Sequence, residues 1–144
     1  MVNVDDVAAY ILARKGPMSA IKLQKLVYYS QAWSLVWDDT PLFPERIEAW
    51  AGGPVCLQLW EHHRGQFELR APWPWGDPGR LSADEKATVD AVLDYYADKS
   101  AQWLSDLTHA ERPWQEARKG LPPGARGSRE ITLDSMADYY AGLT

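Results

Sequence analysis

A chain of 144 residues, 46% of them hydrophobic, is long enough for one packed core and too apolar to stay disordered. Its formal net charge of −5 argues against a general nucleic-acid binder, which needs a basic footprint to displace counterions. The lone Cys56 forbids an internal disulfide, no run of about 18 apolar residues offers a membrane span, and the opening MVNVDDVAAY is unlike a secretory leader, so a cytoplasmic protein is expected.

Asn3 is placed to cap a first helix, with Asp5 and Asp6 at the positive end of its dipole. Val4, Val7, Ala8, Ile11 and Leu12 form one stripe, and Gly16-Pro17 stops the helix. Ser19 caps a second helix over about residues 19–37, SAIKLQKLVYYSQAWSLVW. Leu23, Leu26, Ser30, Trp33 and Trp37 share a broad face, and only Lys22, Gln24, Lys25, Gln31 and Ser34 interrupt the apolar surface. A helix apolar on nearly every side has no wide solvent face, so other elements must pack around it. The expected fold is therefore mainly α: a compact single-domain helical bundle over residues 1–144 around a central buried helix, with room for one or two very short β-strands. The short turn between the first two helices raises a helix-turn-helix reading. A DNA-reading helix must be polar and basic, and this one is not.

Pro41 and Pro44 forbid a helix through PLFPERIEAWAGGPV, where Ile47 and Ala49 alternate with Glu48 and Trp50 as in a short strand. Gly52-Gly53 allows a turn, and Pro54 suits the first turn of a third helix over about Val55 to Arg64. In residues 66–81, Phe67 and Leu69 can start a strand that APWPWGDPG cannot continue. Trp73 and Trp75 stand in this proline-rich loop, where a tryptophan either folds back as a staple or faces a partner. Ser82 and Glu85 make a capping box for a fourth helix with Val89, Val92, Leu93 and Tyr96 inward. Asp90, Asp94 and Asp98 line another face of it, either solvated or turned to a basic partner. Ser100 opens a fifth helix, Thr108 and Glu111 repeat the capping-box spacing, and Pro113 starts a short turn. Arg118, Lys119, Arg126 and Arg129 make a basic stretch with no acid, around a loop GLPPGARGS expected to be mobile. Ile131 suits another short strand, and a last helix, about residues 133–143, puts Leu133, Met136, Tyr140 and Leu143 on one side.

No reactive constellation stands out. Adjacent His62 and His63 point about 100° apart on a helix and lack metal-site spacing, and His109 is remote from them. Cys56 is the single thiol candidate and reads as a small buried hydrophobe. There is no G-x-S-x-G elbow, and Gly52-Gly53-Pro54 lacks the G-K-[ST] of a phosphate loop. An enzyme is not expected, nor is a cofactor or a metal site.

Three stretches resemble one family. K-L-Q-K-L-x-Y-Y-x-Q-A-W at Lys22 to Trp33, A-W-x-x-G-P-V at Ala49 to Val55 and T-H-x-x-x-P-W at Thr108 to Trp114 resemble the Panacea domain of phage-associated proteins, which includes SocA-like antitoxins. The resemblance implies an antitoxin of a toxin–antitoxin system that neutralises a cognate toxin by direct protein binding, with no cofactor. It also implies an alternative, an adaptor delivering the toxin to a ClpXP-type protease; the short two-helix turn and the basic stretch, independently of the resemblance, leave a DNA-binding autoregulator as a second alternative. The motif residues Lys22, Gln24, Lys25, Tyr28, Gln31, Trp33, Trp50, Gly53, Pro54, His109, Pro113 and Trp114 are then expected to be mainly structural, with Lys22, Gln24 and Lys25 either bracing the Gly53-Pro54 loop or lining a groove. Toxin contacts are expected outside them, at Trp73 and Trp75, at Arg118, Lys119, Arg126 and Arg129, and along Asp90, Asp94 and Asp98.

Overall fold

Helix α1, Val4–Lys15, starts where the Asn3 side chain accepts from the Asp6 amide and the Asp6 carboxylate accepts from the Asn3 amide. The computed structural model describes residues 1–144. After α1 come β1 Met18–Ser19, α2 Ala20–Trp37, β2 Ile47–Trp50, β3 Gly53–Cys56, α3 Leu57–His63, β4 Glu68–Leu69, a 3-10 turn Pro78–Arg80, α4 Ala83–Tyr96, α5 Ala101–Ala110, α6 Arg112–Ala117, β5 Glu130–Ile131 and α7 Leu133–Ala141. The fold is mostly helical, and 33 buried apolar residues form a single continuous core.

Helix α2 packs against α1, α4, α5, α7 and β3. Leu23, Leu26, Tyr29 and Ala32 have no exposed surface. Each large side chain buried this way contributes roughly 1.5–3 kcal/mol. Two of the buried polar groups on α2 are satisfied close by: Ser30 Oγ donates to the Leu26 carbonyl, and Gln31 clamps the following loop by accepting from Leu42 N at 2.7 Å and donating to Phe43 O at 2.9 Å. Tyr29 and Tyr140 both donate to Glu111, at 2.7 and 2.6 Å, and Tyr28 meets Tyr140 at 3.0 Å, which ties α2 to α7 through the start of α6. Burial holds the Glu111 carboxyl above the usual glutamate range, and the two tyrosine bonds pull the other way.

The structure departs from the sequence reading at several places. It has five strands, not one or two, in two antiparallel sheets: β1 with β4, and β3-β2-β5. The hairpin β2–β3 pairs Ile47 with Cys56 and Trp50 with Gly53, so Pro54 opposes Ala49 in a ladder and opens no helix. A proline is tolerated there because β3 is an edge strand, and α3 begins only at Leu57. Thr108 does not cap α6; its hydroxyl donates to the Ser105 carbonyl, and the Glu111 side chain is taken by the tyrosines. Of the expected inner side of α7, Met136 and Tyr140 are buried, while Leu133 and Leu143 are exposed because the helix ends at Ala141 and turns only one stripe inward. Trp37 is 48% exposed and stacks on Trp33 at 5.0 Å in the last turn of α2.

Candidate functional site

The β2–β3 hairpin is the element that builds the site. Its tip, Trp50-Ala51-Gly52-Gly53, turns through a positive φ of 128° at Gly53. A Cβ on Gly53 would stand 2.7 Å from Lys25 Cε and 3.3 Å from Thr108 Oγ1. Glycine is therefore needed twice, for the backbone angle and for letting α2 and α5 close over the tip. Trp50 is fixed from both ends: its indole N–H donates to Glu48 at 2.9 Å, and its carbonyl accepts from the Trp114 indole at 2.8 Å. Trp60, on α3, meets Trp50 edge to face at 5.4 Å between ring centres.

These two half-buried tryptophans form a ridge with a hollow on either side. The outer groove, about 770 Å³, runs between Glu48, Leu57 and the Arg126–Ser128 segment. The inner hollow, about 430 Å³, lies between α2, the hairpin and α5, with Ile21, Lys25, His63, Ser105 and His109 in its wall. Trp50, Gly52 and Trp60 line both.

The inner hollow is unusual in its charge. Lys25 is 2% exposed, and its one hydrogen bond is a 3.4 Å donation to the Pro54 carbonyl. Desolvation pushes its ammonium down to about 8, which still leaves it protonated at neutral pH. No carboxylate neutralises it, and no acidic side chain lines the hollow. His109 stacks on Trp114 at 4.2 Å, and its Nε2 is buried without a hydrogen-bond partner. Gln24 and His63 are satisfied by contrast. Gln24 exchanges two bonds with the Cys56 backbone, at 2.9 and 3.2 Å, and donates to His63 Nε2 at 3.0 Å. Burial lowers the His63 pKa, which agrees with a neutral ring accepting that bond. So Gln24 and Lys25 bond the hairpin and also wall the hollow. Lys22 is half-buried at the start of α2, and Pro113 is buried in the first turn of α6.

The residues expected to meet a toxin are scattered. Trp73 is not on the surface: it is 5% exposed and donates to Asp5 Oδ1 at 3.0 Å, so it is the staple of its loop. Arg118 is likewise interior. It donates to the Ala49 and Ala125 carbonyls at 3.0 and 2.6 Å and lies over Trp114, because a guanidinium fork can take one carbonyl from β2 and one from the 120–128 loop together. Asp90 is half-buried, accepts from Tyr10 at 2.8 Å and pairs with Arg14 at 3.3 Å, so the acidic strip is broken at its first member. Asp94, Asp98, Lys119, Arg126 and Arg129 are exposed, and of these Arg126 alone lines the tryptophan grooves. The 120–128 loop, expected to be mobile, is fastened at its ends by Arg46 to the Ser128 carbonyl and by Arg129 to the Lys119 carbonyl.

Trp75 is 54% exposed and stacks flat on His62 at 4.2 Å. Trp75→Ala is expected to cost about 1 kcal/mol or less in urea unfolding, since half of its surface is already in water. Cys56 is 2% exposed and burial pushes its thiol up to about 12, so it stays a protonated thiol at neutral pH.

Trp60 and Ile21 are the groove residues that sequence reasoning passed over. Trp60 carried one signal, an aromatic on the polar side of a short helix, but its partner Trp50 is ten positions away across a hairpin that spacing did not reveal.

A family model described as antitoxin SocA-like, Panacea domain, matches residues 23–115. The match runs from α2 to α6 and takes in Lys25, both ridge tryptophans, the hairpin and His109. No curated protein and no solved structure matches the chain.

Proposed function

The chain belongs to the antitoxin SocA-like, Panacea domain family, and from that premise we propose that it neutralises a cognate toxin by binding it directly on the Trp50–Trp60 face. One observation carries the reading. The three motif stretches, far apart in sequence, converge here: Lys25 from the first, Trp50, Gly53 and Pro54 from the second, His109 and Trp114 from the third. Paired tryptophans between two hollows are the kind of anchor around which protein interfaces concentrate their energy. Arg126 on the rim supplies a charge for selecting one partner over others. Burial of α2 from Leu23 to Ala32 favours a protein over DNA as the partner, because a recognition helix must reach base edges. On this reading the protein has no catalytic step; its chemistry is recognition.

The test is co-expression with the product of the adjacent gene. Growth should be restored and the two proteins should co-purify. Trp60→Ala with Arg126→Glu should weaken the complex by about tenfold or more while leaving the melting curve near that of the parent. Failure of the parent chain to co-purify with any neighbouring gene product would reject direct binding. Toxin loss that requires a ClpXP-type protease would replace blocking by delivery.

A further inference from the structure

We propose that the inner hollow between α2, the hairpin and α5 is a receptor for a carboxylate of the partner toxin, an acidic side chain inserted beside Trp50 and Trp60 and met by Lys25 and His109. The inference rests on the direct-binding reading and names what that surface recognises.

Three features of the hollow converge on this occupant. Lys25 is a buried cation that has three N–H donors and uses one of them, in a long bond to the Pro54 carbonyl. The other buried charges of the fold do better. Asp5 is met by His62 and Trp73, Asp6 by Asn3, Asp77 and Arg80, and Glu111 by two tyrosines. A buried charge left uncompensated is strongly unfavourable, so a cation held in this way calls for an anion from outside. The second feature is His109, whose ring lines the same hollow and whose Nε2 is buried without a partner. In the tautomer carrying its proton on Nε2 it donates, so it adds a second hydrogen-bond donor for one carboxylate.

The third feature is the wall. Ile21, Val55, Trp50 and Trp60 are apolar, and no acidic residue faces inward. Glu48, the nearest acid of the adjoining groove, is already engaged by the Trp50 indole and by Arg46 at 3.6 Å. An aliphatic stem with a carboxylate at its end matches such a wall, with its charge at the bottom and its methylenes against the tryptophans. A cationic or purely apolar segment would leave Lys25 uncompensated.

The test has two arms. In the first, sodium propionate is titrated into the full chain carrying 13C-labelled lysine and histidine, and side-chain NMR signals are followed. Saturable shifts of Lys25 Cε and His109 Cε1 are expected with propionate. Equimolar propionamide or sodium chloride should not produce them, and Lys25→Met should abolish them. In the second arm, toxin affinity is measured for Lys25→Met and for His109→Phe, each first shown to melt cooperatively. A loss of about tenfold or more is expected for Lys25→Met, since one partner of a buried charge pair is then missing. His109→Phe keeps the stack on Trp114 and serves as the second variant.

Unchanged toxin affinity in both variants, with no propionate response, would overturn the carboxylate receptor and leave direct binding standing. Propionate binding with unchanged toxin affinity would also overturn it, because the occupant would then be a free carboxylate. If the parent chain binds no toxin at all, it is the direct-binding reading that fails.

Discussion

Lys25→Met is expected to make the protein more stable at neutral pH, by on the order of 2–3 kcal/mol. The Lys25 ammonium is lowered to about 8 from an ordinary 10.5 by burial alone. Above pH 10.5 the folded and unfolded chains both carry a neutral amine there, and burial costs no charge. Between pH 8 and 10.5 the unfolded chain holds a proton that the folded chain has released, so stability rises with pH. Below pH 8 both states are protonated and the full penalty applies, about 3 kcal/mol for a shift of this size. Methionine matches the stem in length and removes the charge; it gives up one hydrogen bond that is already long at 3.4 Å. Urea unfolding at pH 7 should show the gain, and the difference between variant and parent should shrink as pH is raised from 8 to 10.5. A destabilised variant at pH 7 would contradict the account. The same substitution is expected to weaken toxin binding, so stability and function should move in opposite directions. That opposition is what a cation kept for a ligand, and not for folding, should produce.

Gly76→Ala should be severely destabilising, by about 3 kcal/mol or more. A Cβ on Gly76 would lie 2.1 Å from the Asp5 carbonyl oxygen and 2.3 Å from its carbon. These are backbone atoms of the first turn of α1 and have nowhere to move. The loop would have to lift away, breaking the Trp73 bond to Asp5 and the Asp77 amide bond to Asp6 Oδ1 at 2.8 Å. Buried Asp5 would lose one of its two side-chain partners and the Trp73 indole its only one, which is among the mechanisms that give large single-site losses. Gly52→Ala is the control. Nothing lies within 4 Å of its Cβ position, so a change under about 0.5 kcal/mol is expected in the same urea series.

The candidate site was half legible. Lys25, Trp50, Gly53, Pro54, His109 and Trp114 could be singled out because they belong to the three motif stretches, and Gln24 and Lys25 bond the hairpin. The arrangement that unites them was not legible. It depends on Trp50 meeting Trp60 and on His109 being set on Trp114, contacts made between elements and not within them. Two of the expected toxin contacts, Trp73 and Arg118, are buried for a related reason. Arg118 looks like a surface residue in a basic stretch, and Trp73 in its proline-rich loop reads either as a staple or as a partner contact. What draws them inside is Asp5 in one case and the Ala49 and Ala125 carbonyls in the other, 68, 69 and 7 residues away.

Local sequence decided where the helices lie. Asn3 and Ser82 with their partners Asp6 and Glu85, and Ser19 and Ser100, start α1, α4, α2 and α5 as capping chemistry requires, because a cap is satisfied within one turn of its own chain. The nearly all-round apolar surface of residues 23–32 likewise dictated burial. Tertiary structure alone decided how the strands pair, the inward turn of Arg118, which of the two readings of Trp73 holds, and the hollow with its uncompensated Lys25. Two- to four-residue strands carry too little pattern to show which segment they pair with, and each exists because another segment supplies the other half of its hydrogen bonds. Charge inside the hollow is of the same kind: a lysine is only a lysine in sequence, and it becomes a cation without a counter-ion once the hairpin and α5 have closed around it.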